Sequence, residues 1–163
     1  MAVQTMKDLF LHGIQDVYYA EKRIVETMPK IAKAVDSKKL REALEHHLEE
    51  TKGQIKRLEK VFENCGEKAK GVECPAIDGI IKESDEIMKE TKDKQVLTAA
   101  LLAGAQAVEH YEISRYGTLC EWARLLGDED SYKLLNETLA EEKAADKKLT
   151  DIAQKDVNRK AAA

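Results

Sequence analysis

The stretch VEHYEISRYGTL, Val108 to Leu119, constrains this chain more than any other, because it sets Glu109 and Glu112 one helical turn apart inside an otherwise apolar helix. Inward positions through it read Leu101, Ala105, Val108, Glu112, Arg115, Leu119, Trp122 and Leu126, the alternating three-and-four spacing of a helix packed in a bundle. Glu112 then points at the core, and Glu109 flanks the same face. A lone buried carboxylate is costly unless it is paired or neutralised. A fold built on this helix must therefore bring compensating groups to the same level.

The rest of the chain has the composition of amphipathic helices. Two prolines and eight glycines among 163 residues, with 36% charged and 43% hydrophobic residues, predict an all-α chain forming one domain over residues 1–163. No run alternates with period two for long enough to make a strand. The net charge of -4, with Lys and Arg scattered among Asp and Glu, argues against a nucleic-acid partner. No apolar run of 18 residues and no signal-like N-terminus is present, which predicts no membrane partner and a cytoplasmic location. Three cysteines, Cys65, Cys74 and Cys120, form no CxxC pair, as expected in a reducing compartment. Cys74 precedes a helix start, which would lower its pKa, although a structural role is the simpler reading.

Start and stop signals place helices at about 5–35, 37–64, 76–90, 93–126 and 128–157. Thr5 and Asp8 have capping-box spacing, while Pro29 is expected to kink the first helix or split it. Its inward face is apolar except for Glu21 in the middle. The second helix turns Leu40, Leu44, His47, Thr51, Gln54, Leu58 and Val61 inward, again polar at the centre, with Glu50 beside His47. In the last helix Leu135, Thr138, Glu142, Ala145, Leu149 and Ile152 face inward, with Asp146 one turn after Glu142 and a frayed tail expected after about Asn158. The connection from Asn64 to about Lys92 is far longer than a bundle turn and holds a short helix entered at Pro75. Such a crossover lets the helices on either side of it run parallel, the ferritin-like form of a four-helix bundle.

Antiparallel helices joined by a tight turn put residues equally far from the turn at one height. Glu21 lies 15 residues before Asp36 and Glu50 14 after it; Glu112 lies 15 before Gly127 and Glu142 15 after it. The two hairpins echo each other weakly, with HLEET at 47–51 and LAEEK at 139–143. Carboxylates from four helices at one height need cations, and two divalent ions, Fe or Mn, match the oxygen-rich donor set. The predicted metal residues are Glu21, Glu50, Glu112 and Glu142, with Glu109, His47 and Asp146 as additional ligands. Glu50 and Glu142 are the bridging candidates. Each also has a simpler reading: Arg115 could pair with Glu112, and His47 could be a core histidine bonded to Asp16 or Glu21. Tyr18, Tyr111 and Tyr116 are candidate donors to ligand carboxylates or plain core residues.

On DVYYAEKR, HLEETKGQIKRLE, VEHYEISRYGTL and LLNETLAEEKAADKKLTDIA, which span nearly the whole chain, the sequence resembles the YciE/YciF family of bacterial ferritin-like, stress-associated proteins. The resemblance implies a four-helix bundle with a short fifth helix, a homodimer and a dinuclear metal site, and no known substrate. The ligand pattern departs from the Glu-x-x-His of ferritin-like proteins in general: His47-x-x-Glu50 is reversed, and Glu142-x-x-x-Asp146 lacks a histidine. Two functions are open at this stage. One is redox chemistry with dioxygen or peroxide, as an oxidase, peroxidase or ferroxidase. The other is a non-enzymatic stress or interaction protein whose site is structural, vestigial or empty. DNA protection and mineral storage are disfavoured.

Overall fold

The structure, a computed structural model, describes residues 3–163. Its elements are α1 (Met6–Ala34), α2 (Lys38–Asn64), α3 (Pro75–Glu90), α4 (Lys94–Leu125) and α5 (Glu129–Ile152), followed by a π-helical turn (Ala153–Val157) and a last helical turn, α6 (Asn158–Ala161).

Local chemistry sets most of these ends. Thr5 accepts from the Asp8 N–H, and Asp8 accepts from the Thr5 N–H at 2.9 Å, a complete capping box on α1. Ser37, Asp93 and Asp128 cap α2, α4 and α5 with their side-chain oxygens. Asp93 accepts from both Gln95 and Val96 N–H groups, so Asp93→Ala is expected to lower stability by about 0.5–2 kcal/mol in denaturant melts without affecting the interior. Gly66 and Gly127, both at φ +73°, end α2 and α4 with the next residue's N–H returning to the carbonyl five positions back, at Phe62 and Ala123. Helix α1 runs through Pro29 without splitting.

Helices α1 and α2 form one hairpin and α4 and α5 the other; α2 lies beside α5, α1 beside α4, and α3 packs on α4 and the edge of α1. Gly13 faces Leu119 and Trp122, while the Asp36 N–H at the far end of α1 donates to Thr98 at 2.8 Å, so α1 and α4 run antiparallel. Helices α2 and α4 are therefore parallel, as the long crossover demands. The crossover is held to α1 by the Val72 N–H on the Gln15 carbonyl at 3.2 Å.

The apolar interior falls into two clusters. One gathers around Ile24, Leu44, Ile77, Leu101 and Leu149, the other around Phe10, Ile14, Leu58, Phe62 and Leu135. Between them runs a buried polar layer. The predicted inward faces of α1, α2 and α5 coincide with the buried residues at nearly every position.

Arg115 does not face inward: its side chain is half exposed and pairs with Asp16 at 3.5 Å rather than with Glu112. Leu126 also leaves the core face, Trp122 stays half-buried against the second cluster, and Leu102, Tyr116, Cys120 and Ala123 are buried beside Leu101 and Leu119. A heptad drifts about 20° per repeat against a straight α-helix, and over a helix as long as α4 that drift replaces one set of positions by its neighbours. Nor does the chain fray at Asn158. It stays helical to Ala161, because Val157 is buried against the first cluster and anchors the last turns.

Candidate metal centre

The polar layer receives Glu21 from α1, His47 from α2, Glu109 and Glu112 from α4 and Glu142 from α5. Each of these residues is 5% exposed or less, in positions where a bundle ordinarily places leucine. One ligand atom from each of His47, Glu109, Glu112 and Glu142 lies within 4.8 Å of the others, a group that could hold a metal ion. The His47 Nε2 is 3.3 Å from Glu109 Oε1 and 3.7 Å from Glu142 Oε2, and its Nδ1 is 3.6 Å from Glu50 Oε2. None of these approaches is a hydrogen bond, and both ring nitrogens are left without a partner.

The layer as a whole is short of donors. Glu21 Oε2, Glu109 Oε2, both Glu112 oxygens and Glu142 Oε2 are buried and unpartnered. What donors there are come from three side chains on the flanks. Tyr116 donates its hydroxyl to Glu21 Oε1, Gln54 donates to Glu142 Oε1 and to Glu141 at 3.0 Å, and Arg57 joins Glu137 and Glu141 on α5. Thr51 closes on the His47 carbonyl at 2.8 Å. Gln54 shows in sequence only as a polar inward position, and Arg57 carries no sequence signal beyond lying one turn further along α2.

Electrostatics reflects that shortage. Burial first, and then the charge of Glu142, pushes the Glu21 carboxyl up to about 8, against the downward pull of the Tyr116 hydroxyl. Burial and then Glu142 push Glu109 up to about 11. Glu112 is raised well above the carboxylate range by burial and then by Glu21, Glu142 and Glu109 together. Tyr116 is raised by the same burial and by Glu21, so its hydroxyl stays a donor. A divalent cation among these groups would reverse each of these directions. Four carboxylates and one imidazole suit a hard or borderline ion rather than a thiophilic one.

The remaining predicted residues stand apart from this group. Glu50 is partly exposed, 3.2 Å from His46 Nε2, and the His47 ring beside it holds its carboxyl below the usual range. Asp146 accepts from Gln106 at 3.1 Å and lies 3.1 Å from His110 Nε2, outside the bundle axis. Of the three tyrosines only Tyr116 reaches a core carboxylate; Tyr111 donates to Asp16 at 2.7 Å and Tyr18 to Glu59 at 3.1 Å. His47 bonds neither Asp16 nor Glu21. The Cys74 thiol, 3.2 Å from the Tyr111 hydroxyl, is pushed up by burial, not lowered by the helix it precedes.

Two pockets meet the centre at the His47 and Glu109 edge. One, between α1, α2, α3 and α4, is almost wholly apolar. The other, between α2 and α5, carries His46, Glu50 and Lys148 in its lining.

Residues 5–162 match the family model described as a domain of unknown function (DUF892). The chain is 47% identical over 162 residues to protein YciF of Escherichia coli (strain K12), covering 99% of this chain and 98% of that one. Its fold is similar to the crystal structure of the E. coli stress protein YciF, with a TM-score of 0.91, 46% identity, and coverage of 96% and 99% of the two chains. It is also similar to YcfI from Rhodopseudomonas palustris, with a TM-score of 0.89, 54% identity, and coverage of 91% and 94%. A Xanthomonas campestris protein at 19% identity and a TM-score of 0.73, covering 91% of this chain and 90% of that one, shares the fold alone.

Proposed function

This chain belongs to the DUF892 family, that of YciF, and we propose that within it the protein is a stress-associated carrier of a dinuclear Fe or Mn centre that reacts with dioxygen or peroxide. One observation carries this reading. Buried carboxylates from three helices and an imidazole from the fourth share one layer, where five carboxylate oxygens and both imidazole nitrogens have no hydrogen-bond partner, and among the described residues no Lys or Arg is buried with them. Glu21, His47, Glu109, Glu112 and Glu142 would hold the metals, with Glu50 and Asp146 at the rim as additional candidates.

A redox-active metal pair, when bound, supplies two electrons to the oxidant, one from each ion. The chain's own residues do the rest. Tyr116 orients Glu21, and Gln54 orients Glu142, so two ligand carboxylates are held from outside the centre. Arg57 secures α2 to α5 on the side where Gln54 acts. The apolar clusters above and below the layer exclude water. Dimer formation and a cytoplasmic setting belong to the same proposal, supported by the exposed Met6, Leu125 and Leu126 side chains and by three free cysteines. Among the described residues no helix is long and apolar enough to cross a membrane.

The test is elemental analysis after anaerobic loading with Fe(II) or Mn(II). About two ions per chain are expected in the native protein and none in Glu112→Leu. A native protein that takes up no metal leaves the second reading, a non-enzymatic stress protein with an empty site. The raised Glu21, Glu109 and Glu112 carboxyls favour that reading specifically, since burial and their neighbours' charges push each toward its neutral form without any ion.

A further inference from the structure

The apolar pocket that reaches the centre from beneath α3 has a composition and shape that the metal ligands do not require. It is lined by half-buried residues, among them Ser84, Gly104 and Ala105, and at its floor by the buried His47 and Glu109. Its walls are Ile24 and Met28 from α1, Leu44 from α2, Ile81 from α3, and Leu101 and Val108 from α4. The free volume is about 60 Å³. That is room for a molecule of a few heavy atoms and less than the roughly 150 Å³ of a cavity that takes benzene.

The two hydroxyls of its wall have spent their donors on their own helices. The Thr27 hydroxyl donates to the Arg23 carbonyl at 2.8 Å and the Ser84 hydroxyl to the Ile80 carbonyl at 3.2 Å, each on its own helix. Water needs two to four polar partners to remain in such a space, and the walls away from the floor offer few. At its floor the situation inverts: both nitrogens of His47 and Glu109 Oε2 are buried with no hydrogen-bond partner. The second pocket approaches the same two residues through His46, Glu50 and Lys148. The centre thus has a dry approach and a charged one.

We propose that the apolar pocket is a binding site for a small uncharged molecule of dioxygen size and delivers it to the His47 and Glu109 edge of the centre. The delivery half rests on the metal reading; the binding half does not. Binding alone requires only apolar walls and matching volume, which dispersion contacts reward.

The test begins with metal-free crystals under xenon pressure, xenon being an apolar probe of comparable size. One xenon atom is expected in contact with Ile24, Met28, Ile81 and Val108, and none in Ala105→Leu, whose added carbons fill the space; Val108→Phe serves if that variant does not fold. A native pocket that stays free of xenon overturns the proposal. The second arm uses Fe(II)-loaded protein. In Ala105→Leu the ratio of dioxygen-driven to peroxide-driven iron oxidation is expected to fall at least tenfold at unchanged iron content, and an unchanged ratio overturns delivery. Failure to load iron would count against the metal reading, and the xenon result would then decide the pocket by itself.

Discussion

Replacing Glu112 by leucine is expected to make the metal-free protein more stable while abolishing its metal uptake. Both Glu112 oxygens are buried without a partner, and the side chain sits where the flanking layers are apolar. Exchanging a buried polar group that is not fully compensated for a hydrophobic one of similar volume is neutral or stabilising by about 1–4 kcal/mol. For a chain of this length that is a rise in Tm of roughly 2–4 °C per kcal/mol. Urea melts of native and Glu112→Leu protein, each stripped with chelator, measure it directly. A variant less stable than the native chain would mean that Glu112 is satisfied by an interaction within the protein, and the case for a metal there would weaken. Stabilisation with loss of function is the signature of a residue retained for chemistry rather than for packing.

The second large effect is a pH dependence of the metal-free protein. In the unfolded chain these glutamates titrate near 4.3. Folded, Glu21 holds its proton to about pH 8 and Glu109 to about pH 11, because burial and Glu142 penalise the charged forms. Above the unfolded pKa the unfolded chain therefore binds fewer protons than the folded one, and stability falls as pH rises. The loss begins near pH 4.5, is complete for Glu21 once pH passes 8, and continues for Glu109 beyond it. Metal-free protein should melt roughly 10 °C lower at pH 8 than at pH 5, a difference of a few kcal/mol. Metal works in the opposite sense. It displaces these protons, so its affinity rises with pH, and proton release on binding should be visible in weakly buffered titrations. Melting curves that are flat from pH 5 to 8 without metal would show that the carboxyls are ionised and compensated in the empty fold.

The supporting side chains separate the two readings of the protein. Tyr116 and Gln54 hold one oxygen each of Glu21 and Glu142 and leave the other oxygen free. A site that had become a plain packed core would gain by closing those free oxygens. Here the free Glu142 oxygen lies 3.7 Å from His47 Nε2, in a group with Glu109 and Glu112 that could hold an ion between helices.

By itself the amino-acid sequence determined the helices, their ends and the height of the acidic layer. These depend on short-range chemistry: the Thr5 and Asp8 box, the Asp93 and Asp128 caps, the left-handed glycines 66 and 127, and a rise per residue that is the same in every helix. The mid-helix position of Glu21, His47, Glu112 and Glu142 was readable for that reason. Only the tertiary structure decided which acidic groups converge. One residue is 100° of rotation about a helix axis, so the small drift of a heptad along α4 moved Arg115 to the surface and brought Tyr116 inward, with Glu109 as well as Glu112 in the buried layer. The same sensitivity left Glu50 and Asp146 at the rim, one turn from residues that reach the axis. The dry pocket under α3 was beyond sequence altogether. It is made by side chains of four helices, and its character depends on Thr27 and Ser84 turning their hydroxyls back onto their own backbones.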